Sequence, residues 1–319
     1  MNMLFRHGEF NNLSFAFPNG NSHYNFPNLF SASYVEGYSE GGNKTFNIMC
    51  HHMHFKFTEV EKVMPSDTFY FTILRNPITQ MESLFTYNKA SEPFRNAKSL
   101  EDFLKNSSAF YHANARDSYV AKNLLTFDLG FDPNGLGTRK NLKLTWQTID
   151  TIFDLVLITE YFDESLILLK EALCWSYEDI LSFPLNKRSN TTKKALSLEA
   201  QDKVKSWNNL DWQIYVYFNN SFWKLVEKFG WERMQREVNK LRMKRDEMAK
   251  ICLQGEVDPK QLQDKSLMPF QSGLARILGY NLKPGLPTTF ELLCKRLVTP
   301  ELQYGSLLHD NQEGKQTPS

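Results

Sequence analysis

Apolar residues along this chain fall into short runs between polar, Gly- and Pro-rich stretches, and the runs carry two different periods. Residues 46–50 and 69–74 (FYFTIL) are compact and rich in aromatic and β-branched side chains, which predicts two buried strands. A third strand is expected over residues 154–159 (DLVLIT). Helical spacing follows the second and third. Pro77 opens an apolar-periodic stretch to about Lys89, and its missing N–H is harmless in a first turn. Asp163 opens another, carried by Leu166, Leu169, Leu173 and Trp175. Strand-helix alternation of this kind predicts an α/β fold with a mainly parallel sheet.

The flanks read differently. Residues 1–8 look like the end of a helix, and residues 11–45 form a long loop rich in Asn, Gly, Ser and aromatics. Residues 220–252 predict a long amphipathic helix or helix pair. Phe222, Leu225, Val226 and Phe229 share one face, and Arg233, Arg236, Lys240, Arg242, Lys244 and Arg245 form a basic one. That basic face reads as solvated, with docking to an anionic surface as the other reading. A Pro- and Gly-punctuated extension covers residues 255–308, and residues 309–319 read as a disordered tail. No internal repeat is visible.

Composition narrows the function classes. The 319 residues hold 37 Lys+Arg against 36 Asp+Glu, a formal charge of +1, which gives no general argument for nucleic-acid binding. No apolar run approaches the ~18 residues that read as a membrane span. The amino terminus lacks the apolar core of a signal peptide. Four cysteines (Cys50, Cys174, Cys252, Cys294) are too dispersed for a zinc or redox pair, but two disulfides fit an oxidising compartment. Sequons at Asn12, Asn43, Asn106, Asn190 and Asn219 lean the same way.

Four segments can carry chemistry. In FYFTILRNPITQMESLF, Arg75 follows a strand, Pro77 starts a helix and Ser83 lies two turns on. An arginine beside free helix N–H groups suits a phosphate, and the serine hydroxyl adds a donor; a surface ion pair is the alternative. Cys50-His51-His52-Met53-His54 places His52 and His54 on one face of an extended strand and His51 on the other. A histidine there can serve as general base or be a polar group satisfied by loop carbonyls, whereas zinc would need further ligands. Glu160-Tyr161-Phe162-Asp163-Glu164 reads as helix-capping chemistry rather than a catalytic carboxylate pair. WNNLDW (207–212) describes either a sugar site or a buried helix start.

Taken in order, LFRHGE, NIMCHHMHF, FTILRNPITQMESLF, NLLTFDLGFD, FDLVLITEYFDESLILLKEALCW, WNNLDWQIYVYFNNSFW, ILGYNLK and TPELQY resemble the galactose-3-O-sulfotransferase family over nearly the whole chain. MPSDTFYF and WNNLDW look closer to its β-galactoside members than to the galactosylceramide enzyme. The resemblance implies a P-loop-kinase-like sulfotransferase fold, a central parallel sheet flanked by helices. It implies sulfuryl transfer from 3′-phosphoadenosine-5′-phosphosulfate (PAPS) to the 3-hydroxyl of a terminal β-galactose on a glycoprotein or glycolipid glycan. No obligatory metal is implied. The family's Arg-x7-Ser pattern, which grips the donor's 3′-phosphate, falls on Arg75 and Ser83, and its His-Met-x-Phe motif makes His52 the candidate base. Residues 1–254 would form the catalytic domain, with residues 255–308 packed on it.

One departure stands out. Family members begin with a strand and a Lys-Thr-His-Lys-Thr-x-Ser-Ser-Thr loop for the 5′-phosphosulfate, and no such string occurs here. The expectation is a chain truncated at its amino end, lacking that strand and loop and the Golgi membrane anchor before them. Such a chain is either most of a lumenal catalytic domain or an inactive member that keeps nucleotide or glycan binding. A nucleotide kinase is disfavoured because no G-x-x-x-x-G-K-[ST] loop occurs.

Overall fold

The computed structural model describes residues 1–20 and 22–314. It is a mixed α/β chain in which helices surround a small parallel sheet. Helix α1 (Asn2–Phe10) leads into irregular backbone that runs to residue 56, interrupted by one 3-10 turn at Ala32–Tyr34. This segment folds on itself through single bridges, Phe15 with Ile48, His23 with His52 and Leu29 with His54. It buries its own aromatics, Tyr24, Phe30 and Phe46 among them.

Strand β1 (Phe71–Leu74) pairs in parallel with β2 (Leu155–Ile158), Phe71 opposite Leu155 and Leu74 opposite Ile158. Between them lie α2 (Pro77–Tyr87), α3 (Leu124–Asp128) and α4 (Arg139–Ile152). After β2 come α5 (Phe162–Ala172), α6 (Leu198–Trp207), α7 (Asn209–Phe229) and α8 (Trp231–Cys252). Every residue of β2 is buried, whereas Ile73 of β1 is 41% exposed, because β1 pairs on one side only among the described residues. The main core joins β2 to Leu166 and Leu169 of α5, Ile214, Phe218 and Phe222 of α7, and Val238 and Leu241 of α8.

The carboxy-terminal extension is ordered. Strand β3 (Leu253–Val257) pairs antiparallel with β4 (Gly279–Leu282), followed by α9 (Thr288–Val298) and α10 (Glu301–Gly314). A Cys252–Cys294 disulfide ties the end of α8 to α9, and Cys50 and Cys174 are free thiols. Helix α10 returns to α1, burying Tyr304 and Leu308 against Phe5, Phe15 and Phe17.

Several expectations are corrected. Residues 46–50 form no strand of the sheet: Ile48 accepts from Ala16 N at 2.9 Å and bridges Phe15, so this apolar run is buried coil. Tertiary packing decides between strand and coil for so short a run. The tail expected to be disordered from residue 309 is helical to Gly314, with residues 315–319 outside the described residues. Asp163 does not cap α5; its carboxylate binds Arg242 at 2.7 Å and Arg245 at 2.6 Å. The basic face of α8 is therefore partly neutralised, with Arg233 on Glu171 and Lys244 on Glu178 as well.

Candidate functional site

The turn from β1 into α2 is built by its own sequence. Asn76 caps the helix by accepting from Ile78 N at 2.9 Å, and Pro77 occupies the first turn. The Asn76 backbone N–H donates to Glu160 Oε1 at 3.0 Å, while Tyr215 OH donates to Oε2 at 3.3 Å. Glu160 thereby clamps the turn to α7, a structural task for a carboxylate read from sequence as capping.

Arg75 leaves this turn half-buried. Its Nε donates to Thr79 Oγ1 at 3.3 Å, and its terminal nitrogens have no hydrogen-bond partner among the described residues. Burial lowers its pKa, opposed by Glu160 and reinforced by the nearby Arg188. Arg188 pairs through Nη2 with Glu82 of α2, and its buried Nη1 has no partner. Ser83, next to Glu82, is half-buried with a hydroxyl that likewise has no partner among the described residues. Two arginines with spare donors around the first turns of a helix can bind an anion.

The three adjacent histidines meet different surroundings. His51 is buried among Phe5, Phe17 and Tyr24, and burial pulls its pKa down to about 4, so it is a neutral packing group. His54 shares its Nδ1 with the Pro27 carbonyl at 3.1 Å and stacks on Phe127 at 3.9 Å. His52 is 70% exposed in its side chain, with Nε2 3.3 Å from Glu301 Oε1. The Glu301 carboxylate beside it raises the His52 pKa, with the charge of Asp128 adding to the rise. Burial pushes the Glu301 carboxyl up, but His52 outweighs it and holds Glu301 below the usual carboxylate range.

A cavity of about 1030 Å³ runs along the open edge of β1. His52, Asp128, Tyr119 and Phe26 line it, as do Ile73 and Trp175. Arg75 and Ser83 do not, although their neighbours Leu74 and Leu84 do. The structure thus gathers His52 with Glu301 and Asp128 in one place, while Arg75 precedes α2 and Ser83 lies within it, with no hydrogen bond between those two among the described residues. Glu301 and Asp128 escaped the reading of local sequence. Their only signal was membership of the TPELQY and NLLTFDLGFD strings, which carry no chemistry until the chain folds.

WNNLDW resolves as a buried helix start. Asp211 accepts from Leu125 N at 3.0 Å, Thr126 N at 2.8 Å and Thr126 Oγ1 at 2.7 Å, and Asn208 accepts from Asn123 N at 2.7 Å. No group of three or more His, Cys, Asp or Glu side chains among the described residues is placed to hold a metal ion. No described helix is long and apolar enough to cross a membrane.

A family profile for galactose-3-O-sulfotransferase matches residues 1–312. The chain belongs to the galactose-3-O-sulfotransferase family. It is 44% identical to galactose-3-O-sulfotransferase 2 of Sus scrofa, over 100% of this chain and 82% of that protein. For the Homo sapiens protein of the same name the identity is 45%, over 97% of this chain and 79% of the relative. Galactosylceramide sulfotransferase of Homo sapiens is 40% identical, over 95% and 73%. No solved structure matches this galactose-3-O-sulfotransferase family chain.

Proposed function

We propose that the chain serves sulfuryl transfer from PAPS to the 3-hydroxyl of a terminal β-galactose on a glycoprotein or glycolipid glycan. The observation that carries this reading is His52 at the cavity, its Nε2 on the Glu301 carboxylate. With its proton on Nε2, facing the Glu301 carboxylate, His52 keeps an Nδ1 lone pair to accept a proton. The galactose oxygen loses its proton to Nδ1 as it bonds to sulfur. The bond between sulfur and the 5′-phosphate oxygen breaks, and adenosine 3′,5′-bisphosphate leaves. Arg75 and Ser83 hold the donor's 3′-phosphate, a role that their unpartnered donors support.

The same reading assigns the P-loop-kinase-like fold, with a further strand and a phosphosulfate loop pairing on the open edge of β1 in a longer product. Ile73, apolar and 41% exposed on that edge, supports it. The Cys252–Cys294 disulfide supports an oxidising compartment, in keeping with the Golgi lumen and an anchor preceding this segment. The open edge also favours a second reading, a chain that binds nucleotide or glycan without turnover.

Titration calorimetry with adenosine 3′,5′-bisphosphate tests the donor site. Saturable binding is expected, weakened by about 2 kcal/mol, or ~30-fold, in Arg75→Ala. Equal affinity in the variant removes Arg75 from the site. Binding without sulfation of a β-galactoside by the chain selects the second reading.

A further inference from the structure

Asp128 is a carboxyl group for which the fold has no use. It ends α3, and its carboxylate makes no hydrogen bond or ion pair among the described residues. Its Oδ1 is shielded from solvent and unpartnered. A buried polar group without a partner is unfavourable to the fold. Burial accordingly pushes its pKa up to about 7, with Asp211 adding to the rise and His52 opposing it.

The backbone that carries Asp128 is held firmly, so the bare carboxyl is not an accident of a loose loop. Phe55 N donates to the Asp128 carbonyl at 2.9 Å, and Asp211 fixes Leu125 and Thr126. Gly130, with φ +86°, lets the following turn lie directly against the Phe55 carbonyl, where a Cβ would collide. Asp211 is the contrast: a buried carboxylate whose three donors explain it.

What surrounds Asp128 is sugar-binding chemistry. It lines the cavity together with His52, His23, Phe26 and Tyr119. Phe26 meets Tyr119 edge-on at 5.0 Å, and Tyr119 stacks on Phe127 at 5.2 Å, so the aromatic wall is rigid. A pyranose offers C–H groups to such a wall and hydroxyls to a carboxylate and a histidine. We propose that Asp128 is the acceptor-binding carboxyl, taking a hydrogen bond from the galactose hydroxyl next to the one that His52 deprotonates, with the sugar ring against Tyr119 and Phe26. The assignment rests on the functional reading above and deepens it. The entering hydroxyl supplies the partner that the carboxyl lacks.

The test is saturation-transfer and titration NMR of the 319-residue chain with methyl β-D-galactopyranoside as probe. Asp128→Ala is expected to weaken binding at least tenfold, and Asp128→Asn, which keeps an acceptor oxygen, by less. Against the 2-deoxy or the 4-deoxy galactoside, whichever lacks the bonded hydroxyl, the Asp128→Ala penalty should vanish. Neither variant should lower the melting point, since each removes an unpartnered buried carboxylate, and both should keep wild-type affinity for adenosine 3′,5′-bisphosphate, which separates this site from the donor site. Galactoside binding that Asp128→Ala leaves intact overturns the assignment alone. No galactoside binding by the wild-type chain overturns it too, and loss of bisphosphate binding in every version overturns the donor reading instead.

Discussion

His51, His52 and His54 share one chemistry and lie within four residues, yet their surroundings separate them. Burial among aromatic rings keeps His51 neutral, and stacking on Phe127 with a carbonyl on Nδ1 occupies His54. His52 alone combines exposure, a carboxylate partner and a place on the cavity. Replacing Glu301 by Gln is expected to move the His52 pKa, read from its ring proton shift on titration, down from its raised value. A pKa that does not move would detach Glu301 from His52. A raised folded-state pKa gives stabilisation that is complete below the unfolded value, about 6.5, and lost as pH rises through the folded value. Because the imidazole is exposed, that contribution is small, and the pair matters for orienting Nδ1 more than for holding the fold.

At the level of elements, the site depends on how α3 is docked on the start of α7. Asp211 is buried and receives two backbone N–H groups and the Thr126 hydroxyl, and Asn208 receives the N–H of Asn123. Asp211→Ala would strand three buried donors and is expected to destabilise the chain by about 3 kcal/mol, measured by urea unfolding. An unchanged midpoint would mean that α3 stays docked without it. The same contacts show why WNNLDW misleads as a sugar motif: its amides and carboxylate serve backbone donors. Helix α2, by contrast, was legible from Pro77 and its apolar period, since a proline in the first turn and an Asn cap are local signals.

Across the whole molecule, the carboxy-terminal extension completes a site begun near the amino terminus. Helix α10 brings Glu301 to His52 and packs on α1, where Arg296 donates to Glu9 at 2.6 Å and Tyr304 OH to the same carboxylate at 2.5 Å. The Cys252–Cys294 bridge anchors this arm across 42 residues of sequence. A loop of that size is worth about 4 kcal/mol in chain entropy, so reduction, or Cys294→Ser, is expected to lower stability by up to that amount. The His52–Glu301 contact should loosen with it, read as a fall in the His52 pKa. A reduced chain with the oxidised melting point would remove the bridge from the account.

The sequence by itself determined the features that depend on neighbours in the chain. These are the parallel β1–β2 pair with its following helices, the Arg75-Asn76-Pro77 turn, the amphipathic α7–α8 pair and family membership through ordered motif strings. Tertiary structure decided what depends on distant partners. It turned residues 46–50 into coil by pairing Ile48 with Phe15, and it drew Asp163 to the arginines of α8. It also set Glu301 and Asp128 beside His52. A turn or helix cap is fixed by contacts a few residues apart, which a pattern can encode. The environment of a carboxyl or an imidazole is fixed by burial and by charges that only the folded chain brings near.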